Sequence, residues 1–241
     1  MSSLRRIYPQ EQVVEAQIER KPGRQPVGRG IWESTVYPVD VTVRGVRLAL
    51  LEKVFDTGVG SPDKVFVKHA QLKRLGVPTI PVMFADCEDG SSMFVTDLTD
   101  GGRGVCLSAM DWESDGTRHG IQCGNYQPFR LDNPLEVSGQ FADLVLCATL
   151  RGVSFDHCDV PFLTIGPDFF GKVILGDLGQ VKIESHPRPG LDAKLLEWNI
   201  YNGDVCLQRL NKHLDPNSVS RVEFRNAVLR LARQEFNIQG T

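Results

Sequence analysis

A chain of 241 residues, 41% hydrophobic and 24% charged, holds enough apolar material for one domain of two lobes or for two small domains. Its formal net charge is −3, and pairs such as Arg5-Arg6 and Arg20-Lys21 are too short to form a basic tract, so a nucleic-acid partner has no electrostatic basis. No apolar run approaches the about 20 residues that cross a bilayer, so no membrane span is expected.

Residues 1–30 are polar and end in a Gly/Pro-rich stretch, and they read as an N-terminal extension. From 36 to 55 the pattern is β: Val39, Val41 and Val43 alternate, Arg44-Gly45 turns, and a strand resumes from Val46 to Phe55. The loop 57–62 leads into a predicted helix from Asp63 to Leu75, begun near Pro62 and ended by Gly76 and Pro78. Strands follow around Val82–Asp86 and Met93–Asp97. The segment 101–133 is Gly-rich and reads as irregular. From Pro134 to Leu150, Phe141, Leu144, Val145 and Ala148 recur at helical spacing and predict a buried stripe. A short apolar strand, Val173–Leu175, comes next. Helices are then predicted near Asp192–Ile200 and from Ser218 to Phe236.

The six cysteines are widely spread without a C-x-x-C pair, which argues against zinc and for reduced thiols, although an even number also permits disulfides. Arg5 and Arg6 have no apolar stretch behind them, unlike a signal peptide. The expectation is a soluble, intracellular protein.

The chemistry-bearing pattern is His157-Cys158-Asp159 followed by Asp177-Leu178-Gly179, the second triplet lying directly behind the apolar strand 173–175. Phosphoryl transfer needs one carboxylate near the acceptor hydroxyl and another on the metal that bridges the phosphates. The arrangement resembles the active-site core of the protein-kinase-like superfamily, with its H-R-D loop and its Asp-Phe-Gly after a short strand. The resemblance spans about residues 30–200. It implies an α+β, two-lobed protein-kinase-like fold with a β-rich N-lobe (31–100) and a short, mostly helical C-lobe (101–241). It also implies ATP and Mg²⁺ as cofactors. Asp159 would be the catalytic carboxylate, Asp177 a metal ligand, Lys53 a phosphate ligand, and the backbone at Asp97-Leu98-Thr99 the adenine-binding hinge. Alternation places Ala49, Leu51, Lys53 and Phe55 on one strand face, so the ammonium shares a face with apolar neighbours.

Several positions depart from the family. Cys158 stands where many kinases carry Arg. Helix 63–75 offers Lys68 or His69 where the family has a Glu that pairs with the strand Lys. The second metal position, five residues after Asp159, falls on Thr164, and Gly28-x-Gly30 lacks a third glycine because position 33 is Glu33. Three readings stay open. One is a minimal ATP-dependent phosphotransferase with an unidentified acceptor. Another is a pseudokinase that uses the fold as a scaffold and binds a protein partner. The last is an α+β binding domain unrelated to kinases.

Overall fold

The computed structural model describes residues 1–6, 10–26, 28–29, 34–56, 62–86, 91–99, 101–108, 128–156, 161–185, 190, 192–215 and 219–239. The chain is α+β and divides into two compact units. One comprises Met1–Arg74 with Thr79–Gly101, the other Leu75–Pro78 with Gly102–Thr241.

The first unit contains strands β1 (Ser2–Arg6), β2 (Gln12–Glu19), β3 (Gly28–Arg29), β4 (Ser34–Val43), β5 (Val46–Phe55), β6 (Val82–Asp86) and β7 (Ser92–Thr96), with helix α1 (Pro62–Arg74). The strands are ordered β2-β1-β6-β7-β5-β4-β3, all pairs antiparallel. A further pairing of Ala16–Glu19 with Asp40–Val43 joins β2 to β4 and closes six strands into a barrel. Inward positions recur with period two, as a one-face-buried strand requires. Leu4, Ala16, Val39, Val41, Leu50, Phe84 and Phe94 fill the interior. At the β4–β5 turn both Arg44 (φ 50°) and Gly45 (φ 80°) are left-handed, the backbone shape that suits a two-residue hairpin.

This barrel corrects the expectation for residues 1–30. They are not an extension ahead of a lobe, because they supply β1 and β2 and the closing pair of the barrel. The polar average of the segment hid an alternation: Val14, Ala16 and Ile18 all turn inward.

Helix α1 starts on Pro62 and Asp63 and ends on Lys73 and Arg74, charges that complement the helix dipole at both ends. It lies over β6 and β7 and buries Val65, Phe66, His69, Ala70 and Leu72.

The second unit is built on helices α2 (Pro134–Leu150), α3 (Ala193–Leu210) and α4 (Arg221–Gln239). Its strands are β8 (Val105–Ser108), β9 (Val153–Ser154), β10 (Pro161–Ile165), β11 (Gly171–Leu175) and β12 (Lys182–Ile183). They make a three-stranded sheet, β11-β10-β8, and a two-stranded ribbon, β12-β9. Part of the segment expected to be irregular is therefore ordered as β8, while 109–127 lie outside the described residues. The stripe expected on α2 is buried throughout, and Phe141 meets Phe224 of α4 edge-to-face at 6.3 Å.

Helix α3 continues past the predicted end at Ile200 to Leu210, with Asp192 as its N-cap accepting from the amides of Lys194 and Leu195. Gly203 lets it approach α2 and α4 closely, since a Cβ there would lie 3.0 Å from the Phe224 ring and 3.2 Å from Val145 Cγ2. Buried Asp204 accepts from Arg221 at 2.9 Å and from Arg225 at 2.7 Å, which ties α3 to α4. Burial pushes the Asp204 carboxyl up, but the two guanidinium groups outweigh that and hold it below the ordinary range. Segment Leu75–Pro78 belongs to this unit through two bonds: Cys147 Sγ donates to the Gly76 carbonyl, and the Leu175 amide to the Pro78 carbonyl.

Candidate functional site

In the first unit, Lys53 lies on β5 directly opposite Val36 of β4 and Met93 of β7. Leu48, Leu50 and Glu52 alternate with it and turn into the barrel, so Lys53 is on the outer wall, on the same face as Leu51 and Phe55. Its Nζ sits 5.3 Å from the centre of the Phe55 ring, and the side chain is half-buried. This is the face shared with the apolar neighbours that alternation predicts.

Helix α1 supplies no acidic partner for that lysine. Its one acid, Asp63, forms an ion pair with Arg5. His69, read as one occupant of the helix-Glu position, is 2% exposed and turned toward β6, where its Nε2 accepts from the Val82 amide at 3.2 Å. This hydrogen bond meets β6 at the start of its bulge, between Val82 and Phe84. Nδ1 has no partner, and burial, helped by the charge of Lys73, pushes the imidazole down to about 4. The Ile80 backbone opposes that shift slightly without reaching hydrogen-bond geometry.

The residue beside Lys53 escaped sequence reasoning. Glu52 is 1% exposed and receives Arg20 Nε at 3.0 Å, Arg20 Nη2 at 2.7 Å and a close contact from Arg24. Burial raises its pKa, but the arginine hydrogen bonds prevail and hold the carboxyl below the usual range. Arg24 also stacks on Tyr37 at 4.5 Å and bonds the Pro38 carbonyl. The available signal was an acid at an inward position of an otherwise apolar alternation, Leu48-x-Leu50-x-Glu52.

The segment expected to act as a hinge follows β7. Asp97 Oδ1 accepts from the Thr99 amide (2.8 Å) and hydroxyl (2.6 Å), and Oδ2 accepts from the Gly101 amide (3.0 Å). Asp97 thus shapes the turn through its side chain, and the Thr99 amide is already engaged within it.

In the second unit, Asp177 follows β11 by two residues. Its Oδ1 accepts from the Gly179 amide at 3.0 Å, while Leu178 between them is 1% exposed and anchors the turn. A Cβ on Gly176 would stand 2.0 Å from the Phe162 ring, so the aromatic side chain rests directly on the backbone that presents Asp177.

Thr164 is not a partner for this carboxylate. In the β10–β11 register Pro161 faces Leu175 and Thr164 faces Lys172, about 10 Å further along the hairpin at the usual strand rise. Its hydroxyl donates to the Lys172 carbonyl at 3.3 Å. Thr164, expected as a second metal position, thus makes an ordinary cross-strand bond, and the register sets it apart from Asp177.

His157, Cys158 and Asp159 lie outside the described residues, as do Gly30 and Glu33; Gly28 falls in β3. The chain up to Asp156 is firmly held. The Phe155 amide donates to Asn199 Oδ1 at 3.3 Å, and the Phe155 carbonyl accepts from Trp198 Nε1 at 3.0 Å. Asn199 also donates to Thr149 Oγ1 at 3.1 Å and to the Val153 carbonyl at 2.9 Å. A wholly buried Asn thus joins α2, β9 and α3. In sequence it looks like any polar helix residue.

Among the described residues no group of three His, Cys, Asp or Glu side chains could hold a metal ion. Mg²⁺ does not require one, since it is commonly held by one or two carboxylates plus substrate phosphates and waters. No helix among the described residues is long and apolar enough to cross a membrane.

No protein-family profile matches the chain, and no curated protein matches it. Among solved structures, the ROP18 kinase domain in complex with AMP-PNP and sucrose aligns over 100% of this chain and 87% of that chain, with 11% sequence identity and a TM-score of 0.37. Similarity at that level carries no inference about activity, which has to come from the residues.

Proposed function

We propose that the chain is a kinase-like nucleotide-binding protein, its first unit serving as N-lobe and its second as C-lobe. In this reading Lys53 takes α- and β-phosphate oxygens, Asp177 takes Mg²⁺, the backbone around Asp97–Thr99 meets the base, and Asp159 faces the acceptor hydroxyl. The bound Mg²⁺ would neutralise phosphate charge. The chain's own work is to place Lys53 and Asp177, through strand alternation and the Gly176–Gly179 turn.

The observation that supports this reading most is the division of labour on β5. Glu52 is turned inward and committed to Arg20 and Arg24, while Lys53 is turned outward beside Leu51 and Phe55, half-buried, with its Nζ 5.3 Å from the centre of the Phe55 ring. A specific observation favours a second reading, binding without turnover. The one acid of α1, Asp63, is engaged by Arg5, so the charge-stabilising partner that an active phosphotransferase gives its strand lysine is not supplied from that helix.

Thermal unfolding with ATP, with Mg²⁺ and with both tests the proposal. Ligand at 100 times Kd stabilises the native state by about 2.7 kcal/mol, which raises Tm by about 5–10 °C in a chain of this size. Lys53→Met and Asp177→Asn should each reduce the Mg·ATP shift, whereas Asp159→Asn should leave binding intact and abolish whatever transfer the wild type shows. A wild type that Mg·ATP does not stabilise would sink the nucleotide reading and leave the α+β binding domain.

A further inference from the structure

We infer that the second unit carries a separate pocket for an arginine side chain presented by a peptide segment of a partner protein. A cavity of about 290 Å³ lies between the β9–β12 ribbon and the first turns of α3. That volume is near the lower end for ligand pockets and suits one long side chain better than a nucleotide.

The ribbon provides one wall. Lys182 faces Ser154 in register, and alternation brings Asp156 and Glu184 to the same face as that pair. The Glu184 amide is fixed to the Gly152 carbonyl at 2.9 Å, so its side chain projects from a set backbone. The other wall is Trp198, whose Nε1–H is bound to the Phe155 carbonyl at 3.0 Å while the residue is still 51% exposed. An indole pinned at its edge and open to solvent is a rigid surface for a cation, and Trp is the best of the aromatic side chains in that role.

The charges select the sign of the ligand. Three carboxylates line the cavity (Asp156, Glu184 and the N-cap Asp192) against two ammonium groups, Lys182 and Lys194. An anion entering would meet the larger number of like charges, whereas a cation gains both the carboxylates and the indole. Guanidinium suits this better than ammonium, because its planar fork can stack on Trp198 while donating two parallel N–H bonds to a carboxylate. Tyr201, one turn further along α3, is 60% exposed and extends the aromatic strip beyond the cavity. A partner peptide flanking the arginine would cover it, and Trp and Tyr are the residues on which such interfaces concentrate their affinity.

The test is isothermal titration calorimetry of the full chain with acetyl-Gly-Ala-Arg-Ala-Gly-amide. Controls carry citrulline, Lys or Glu in place of Arg, and free L-arginine is a further arm. Saturable binding is expected for the Arg peptide, weaker binding for Lys and for free arginine, and none for Glu. Glu184→Gln, at an exposed site, should weaken the Arg peptide about tenfold, the loss of one charge-assisted hydrogen bond. Its thermal shift with Mg·ATP should stay that of the wild type, which keeps this site distinct from the nucleotide site. Trp198→Phe should also weaken binding. Equal affinity for the citrulline peptide, an unchanged Glu184→Gln variant, preference for the Glu peptide or for free arginine, or no saturable binding would each overturn the inference.

Discussion

Acid should loosen the first unit through His69. The imidazole is 2% exposed and its Nε2 accepts from the Val82 amide, so the neutral ring carries its proton on Nδ1, and a second proton would have to go to Nε2 and break that bond. Its pKa falls from 6.5 to about 4 on folding. As pH drops below 6.5 the unfolded chain takes up a proton that the folded chain refuses. The stabilisation from neutral His69 is therefore complete above 6.5 and is lost progressively down to about 4. Over the whole window the gap corresponds to about 3.4 kcal/mol, and by pH 5 about 2 kcal/mol of it is gone. Urea unfolding followed by tryptophan fluorescence at pH 7 and pH 5 measures this directly. The comparison is with His69→Gln, whose amide oxygen can still accept from Val82 but does not titrate. The variant starts less stable and should lose about 2 kcal/mol less than the wild type between the two pH values. Equal losses in both proteins would show that His69 is not the group responsible, and the reasoning from its burial would fail.

Two further expectations follow from the packing around the candidate residues. Glu52→Gln should destabilise the chain by about 3 kcal/mol, because it strips the buried counter-charge from Arg20 and Arg24; a loss below about 1 kcal/mol in urea would mean that the cluster is solvated and incidental. Gly176→Ala forces a Cβ into the Phe162 ring and should cost about 1–3 kcal/mol. It should also diminish any Mg·ATP stabilisation by displacing Asp177, and adding Phe162→Ala should recover stability in a double-mutant cycle.

Local signals in the chain specify several elements. The helix Pro134–Leu150 has both the predicted bounds and the predicted buried stripe, and strand Val82–Asp86 and the Arg44-Gly45 turn also lie where periodicity and turn chemistry place them. What escaped depends on distant partners. Barrel closure rests on Ala16–Glu19 finding Asp40–Val43, and no local pattern encodes that pairing. The expected end of helix α3 at Ile200 falls short of Leu210 because Asn202 and Asp204 interrupt the apolar pattern beyond it, although both are buried, as is Asn199. Asn199 and Asp204 are satisfied from α2, β9 and α4, partners that lie far off in sequence. Lys53 was placed on the correct strand face by alternation, while its neighbour Glu52 went unread, since an inward acid makes sense only once Arg20 and Arg24 are seen beside it. For Thr164, counting positions from Asp159 ignored strand register, which separates it from Asp177 by the length of a hairpin.

Leu75–Pro78 belongs to the second unit although the chain before and after it belongs to the first. A gene cut at Gly101 would therefore not separate two self-sufficient pieces. The downstream fragment would be made without the stretch whose carbonyls receive Cys147 Sγ and the Leu175 amide. It would leave the ribosome with that patch of backbone unserved, and the upstream fragment would carry the missing four residues as a dangling excursion. Co-production of both halves, rather than either alone, is the dissection this connectivity allows. During synthesis the second unit likewise has to wait for a segment that emerged early, held in reserve between a finished helix and the strand that follows it.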